Sequence, residues 1–150
     1  MPRYYEQAYI TVQYPLKRSI LTHMTIVMKS IIEGRFTEEG FPCIPVSIGE
    51  RIVSCIIDTG FGGDIALPTE LAAQLGVIPT STVQIELADG NRRLMYVATE
   101  PVRIGDVEFS AEILVGVAEP LIGMGLLRHF KVVLDARAGL VRLEPHERTS

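Results

Sequence analysis

The sequence predicts an all-β domain, a closed barrel or sandwich carrying two short helices. From residue 30 onward the chain reads as short β-branched runs, each ended by Gly, Pro, Asp or Asn, which is the pattern of strands joined by tight turns. Only two stretches carry helix signals instead. A length of 150 residues with 47% hydrophobic content suits one compact domain with a real core.

Residues 30–36 are the first strand of this domain. Residues 44–48 and 52–57 form a hairpin about Gly49-Glu50, and the second of them is nearly continuously apolar, as a strand covered on both faces requires. Asp58 follows directly, so this strand is expected to carry a carboxyl into the interior. After the glycine-rich turn through Gly63, residues 64–67 are a strand, and Pro68-Thr69-Glu70 opens a helix over 70–75 that Gly76 stops. Residues 83–87 and 93–98 flank Ala88-Asp89-Gly90-Asn91, and Asp-Gly between alternating strands is a strong hairpin signal. Residues 102–104 and 107–109 make a hairpin about Gly105-Asp106, 111–115 add a strand, 125–130 suit the second helix, and 132–134 and 140–143 complete the set. Residues 1–29 read as an N-terminal arm or extension, 30–145 as the domain and 146–150 as a C-terminal tail.

Composition excludes several function classes. A formal charge of -4 and a pI near 5.4 offer no basic footprint for nucleic acid. Lys17-Arg18 before Ser19-Ile20-Leu21 imitates the start of a signal peptide, but His23, two threonines and Lys29 interrupt the apolar run. It falls short of the ~18 apolar residues of a membrane span. The expectation is a cytoplasmic chain with no membrane partner. Cys43 and Cys55 lack the spacing and the histidines of a zinc site, so neither a metal nor a cofactor is expected. A two-residue turn at Gly49-Glu50 sets Ile44 opposite Cys55 and turns Cys43 to the other sheet face, where a disulfide is geometrically difficult.

The chemistry concentrates at Ile56-Ile57-Asp58-Thr59-Gly60. An Asp-Thr-Gly tripeptide alone is also what an Asx turn at a strand end looks like. Its position after Cys55-Ile56-Ile57 is more telling, because a carboxylate placed where water is scarce is costly unless it has a partner or a task.

This segment resembles the active-site loop of the retropepsin-like aspartic proteases: two apolar residues, Asp, Thr or Ser, then Gly. Leu121-Ile122-Gly123-Met124-Gly125-Leu126-Leu127 is similar to the apolar-apolar-Gly segment that opens the C-terminal helix in that family and packs beneath the catalytic loop. The Asp89-Gly90 hairpin stands between the two, where the family has its flap. The resemblance covers residues 30–143, and is closest to small prokaryotic single-domain members rather than two-lobed pepsins. It implies the acid protease fold of a single lobe.

In such proteases two carboxyls about 3 Å apart share one proton, since like charges at that distance cannot both ionise comfortably. One carboxyl acts as general base on a water while the other hydrogen-bonds the scissile carbonyl. Only Asp58 has the motif, since Asp89, Asp106 and Asp135 are not followed by Thr-Gly or Ser-Gly. The resemblance therefore implies a homodimer with Asp58 beside the twofold axis, acting on a polypeptide substrate without metal or cofactor. It gives Thr59 a positioning role across the interface, Gly60 a close backbone approach, and Asp89 and Gly90 the flap tip over an extended peptide. Leu121, Ile122 and Gly123 support the loop.

Phe61-Gly62-Gly63 departs from the pattern, because many relatives have Ala or Ser, then polar residues, at these places. Phe61 cannot hydrogen-bond a carboxylate, and it is read as filling a substrate pocket or covering the dimer interface. Asp64 is a solvated turn residue or a border of the cleft, His129 a packing or surface residue, and Glu38-Glu39 a solvated turn. The alternative function is a non-catalytic dimeric module that captures peptide strands, and the intact Asp58-Thr59-Gly60 favours the enzyme.

Overall fold

A computed structural model describes residues 9–16, 20–27 and 30–146, with side chains over 30–146. The chain order is β1 (Tyr9–Leu16), β2 (Ile20–Val27), β3 (Ile32–Glu33), β4 (Arg35–Phe36), β5 (Pro42–Ile48), β6 (Arg51–Ile57), β7 (Ile65–Leu67), α1 (Thr69–Gln74), β8 (Ser81–Glu86), β9 (Arg92–Ile104), β10 (Val107–Val115), β11 (Leu121–Ile122), α2 (Met124–Leu127), β12 (Phe130–Asp135) and β13 (Leu140–Pro145). The expected all-β class with two short helices is observed.

The main sheet runs β4-β5-β6-β11-β7-β10-β9-β8, and a further pairing of β5 with β9, Ser47 with Arg103 and Ile48 with Val102, closes it into a barrel. A second sheet, β12-β13-β3, packs Leu143, Val141, Phe130 and Ile32 onto the same core. The turn at Gly49, whose φ is 60°, fixes the β5–β6 register with Ile44 opposite Cys55 and Cys43 opposite Ile56, as the two-residue turn predicts. Both cysteines are free and buried, and burial first, then the neighbouring Cys43, push the Cys55 thiol up to about 12.

Several boundaries differ from the sequence expectation. Residues 30–36 are not one strand: Gly34 divides them, so that β3 pairs with β13 and β4 with β5. A Cβ at Gly34 would collide with the Cys43 carbonyl, and the Gly34 N–H donates to Val141 O at 2.9 Å. The expected strands at 93–98 and 102–104 are one strand, β9. Residues 98–101 have a strand neighbour on β10 only, and a proline without an N–H is tolerated there. Likewise 107–115 is one strand. The second helix is shorter than expected, since Phe130 already belongs to β12. β1 and β2 were not expected; they pair with each other and with no other strand among the described residues.

No helix among the described residues is long and apolar enough to cross a membrane.

Candidate active site

The sheet around Asp58 has two faces of different character, and strand alternation generates both. Ile57, Ile122, Ile65, Ile113 and Ala98 are register partners across β6, β11, β7, β10 and β9, and all belong to the main core. Their sequence neighbours Ile56, Leu121, Ala66, Leu114 and Val97 are partners on the opposite face. Asp58 stands two residues beyond Ile56. Its side chain therefore leaves the strand on the face of this second row, away from the main core.

The end of β6 is held from the parallel neighbour. Ile56 N–H donates to Pro120 O at 2.8 Å, and Asp58 N–H to Ile122 O at 3.0 Å. Beyond Asp58 the chain turns, with Phe61 N–H donating to Asp58 O at 3.2 Å and Gly60 N–H to Asp58 Oδ1 at 2.9 Å. The Asx turn thus exists, and it fixes the plane of the carboxyl. The expectation of a carboxyl delivered into the interior is corrected: Asp58 is half-buried, and Thr59 and Gly60 are exposed. The apolar run that suggested burial belongs to the strand, whereas the strand's end opens at the barrel surface.

The loop after Asp58 is sewn to the start of α2. Phe61 O accepts the Met124 N–H at 2.8 Å, Gly63 O the Gly125 N–H at 2.9 Å, and Asp64 O the Gly123 N–H at 2.9 Å. These bonds satisfy N–H groups that a helix start leaves without internal partners. They require close contact, because a Cβ at Gly123 would collide with Gly63 O and lie 2.6 Å from Phe61 O and 2.8 Å from the Phe61 ring. Gly60 is less constrained, since its Cβ would meet only Asp58 Oδ1, at 3.3 Å.

Asp64 is half-buried rather than a freely solvated turn residue. Its Oδ2 accepts the Glu112 N–H at 2.9 Å and so ties the loop to β10, while its other carboxylate oxygen lies against Gly125, where a Cβ would be. The only local signal was an aspartate between Gly63 and the buried β7. His129 is exposed and its ring lies 5.3 Å from that of Phe109, in keeping with a packing residue.

The hairpin of β8 and β9 ends in a tight turn. Leu87 N–H donates to Asn91 O at 2.7 Å, Gly90 N–H to Leu87 O at 2.8 Å, and Gly90 takes a φ of 82° that suits glycine. The Asp89 carboxylate accepts from the Asn91 N–H at 2.9 Å and from its side-chain amide at 2.8 Å. These bonds, the backbone one foremost, hold the Asp89 carboxyl below its usual range. A lowered folded value means that the turn's contribution is complete above the unfolded pKa of about 3.9 and is lost only as pH falls through the lowered value. An NMR titration of Asp89 is expected to show a midpoint below that of a free aspartate, and Asn91→Ala, which removes the side-chain amide but keeps the backbone N–H, is expected to raise it only part of the way.

The structure therefore brings Asp58, Thr59, Gly60 and Phe61 together with Leu121, Ile122 and Gly123. Asp89 and Gly90 lie at the hairpin tip, and no hydrogen bond joins them to the Asp58 loop among the described residues. The hairpin and the loop both contribute to one apolar cluster, in which Ile85, Phe61, Val117 and Leu121 pack against the buried Ala66, Met95, Val97 and Leu114. No group of three or more His, Cys, Asp or Glu side chains able to hold a metal occurs among the described residues.

A family model described as "gag-polyprotein putative aspartyl protease" matches residues 44–129, more than half of the chain. A retropepsin-like aspartic protease from Rickettsia conorii is similar in structure, with a TM-score of 0.59 and 28% identity, over 75% of this chain and 89% of that one. No curated protein matches.

Proposed function

Because the chain belongs to the gag-polyprotein aspartyl protease family and has the retropepsin-like fold, we propose that it is an aspartic endopeptidase whose working unit is a homodimer with one Asp58 from each subunit. The observation that carries this reading is the placement of Asp58. It sits at the end of a strand in the closed barrel, its plane held by the Gly60 N–H, on the face away from the main core, with Thr59 and Gly60 uncovered beside it. The nearby Asp64 accepts the Glu112 backbone N–H, which leaves Asp58 as the loop's carboxyl for the reaction.

In the dimer the two carboxyls approach across the twofold axis and hold one proton between them, because two negative charges at that spacing repel strongly. The ionised one takes a proton from a water lying between them. That water attacks the peptide carbonyl, and the protonated one hydrogen-bonds the carbonyl oxygen as it becomes tetrahedral. No covalent intermediate forms on the protein. Thr59, exposed at the loop, positions the two loops against each other, while Leu121, Ile122 and Gly123 hold each loop from below. The β8–β9 hairpin acts as the flap: its tip, shaped by Asp89 and Gly90, closes over an extended polypeptide and excludes water.

Residues 30–145 carry this activity, with 1–29 an N-terminal arm or extension and 146–150 a C-terminal tail. The buried free thiols at Cys43 and Cys55 support a reducing compartment, which we take to be the cytoplasm.

Subunit mixing tests the shared site. With wild-type and Asp58→Asn chains exchanged at varied ratios, hydrolysis of an extended peptide is expected to fall as the square of the wild-type fraction. A linear fall would show that each subunit works alone. No hydrolysis by the wild-type dimer, with peptide still bound, would point instead to a strand-capturing module.

A further inference from the structure

We propose that Phe61 limits the size of the substrate side chain lodged beside the scissile bond, so that the dimer cleaves next to aliphatic residues in preference to aromatic ones. This rests on the peptidase reading of Asp58, and concerns what the same site selects.

The second apolar cluster carries the argument. Ala66, Met95, Val97 and Leu114 are its buried base, and Phe61, Ile85, Val117 and Leu121 are its half-buried margin. The margin comes from the Asp58 loop, the hairpin and the residues leading into β11, the elements that surround a peptide held against Asp58. Leu121 shares a sheet face with Ile56 and hence with Asp58, so the open side of the cluster adjoins the reacting carboxyl. None of the eight residues carries a charge, and such a surface selects by volume and shape.

Phe61 is the large, fixed member. Cβ atoms at Gly63 and Gly123 would both collide with its ring, which therefore occupies the space that these two glycines leave empty. Its main chain is pinned as well, by N–H to Asp58 O at 3.2 Å and by O to Met124 N at 2.8 Å. With its main chain pinned and its ring seated over Gly63 and Gly123, Phe61 leaves little room for a second ring. An aliphatic side chain packs on it; an aromatic one needs the space it fills.

The experiment compares kcat/KM for peptides identical except for Val, Leu, Phe or Tyr at each residue flanking the cleaved bond, using wild type and Phe61→Ala. The ratio of aromatic to aliphatic rates is expected to rise at least ~10-fold in the variant, the scale on which pocket volume discriminates. Phe61→Leu, which retains apolar packing, is expected to move the ratio the same way by less, and it carries the test if Phe61→Ala does not fold. An unchanged ratio alongside hydrolysis that Asp58→Asn abolishes overturns the pocket assignment alone. So does a weaker dimer with the ratio unchanged, which would make Phe61 an interface residue. Absence of Asp58-dependent hydrolysis in wild type overturns the peptidase reading and this inference with it.

Discussion

Replacing Asp58 by asparagine is expected to lower peptide hydrolysis by at least about a thousandfold, within the range that loss of general acid–base catalysis produces. The dimer is expected to remain folded. Asparagine has the same shape, and its side-chain oxygen can still accept the Gly60 N–H that Oδ1 accepts at 2.9 Å. It cannot take a proton from water, and that ability separates the two outcomes. A melting temperature close to that of wild type together with lost turnover assigns Asp58 to chemistry. Retained turnover would remove it from the reaction, however well the fold matches.

The second large effect is on stability, at a residue that carries no chemistry. Gly123→Ala places a Cβ against Gly63 O and within 2.6 Å of Phe61 O, both backbone atoms of a loop already bonded to Gly123, Met124 and Gly125. Backbone cannot rotate aside as a side chain does. The expected cost is about 1–3 kcal/mol, as for other overpacked sites, or roughly 2–4 °C in Tm for each kcal/mol in a chain of this size. Gly63→Ala is the informative comparison, because the closest atoms its Cβ meets are those of the Phe61 ring. Its cost should disappear in a Phe61→Ala background, whereas that of Gly123→Ala should persist there. Thermal unfolding of the two single glycine variants, of Phe61→Ala and of the two double variants, each against its own background, measures both.

Where neighbours in sequence determine the structure, the sequence was legible. The two-residue turn at Gly49-Glu50 set the register of β5 on β6 and separated the cysteines correctly. The segment Leu121-Ile122-Gly123 was placed beside the Asp58 loop only by its resemblance to a family pattern, since nothing local links residues so far apart. What stayed hidden depends on distant partners. Gly34 divides a strand because the Cys43 carbonyl and β13 are there to receive the two halves. Asp64 looks like an ordinary turn residue until the Glu112 N–H is brought to it. The exposure of Asp58 was misjudged for a related reason: apolar periodicity reports what covers a strand, and says nothing of where the strand stops.

The alternation that puts Asp58 on one face and Ile57 on the other also restricts how relatives of this chain can vary in length. Gain or loss of one residue within β6 would rotate the carboxyl into the core and expose an isoleucine in its place. The parallel partner β11 is equally constrained, because its register sets Leu121 beside Ile56 and Ile122 beside Ile57. Length changes are instead expected at the hairpin tip around Asp89 and at the exposed turn through Gly139, whose added residues would leave both registers unaltered.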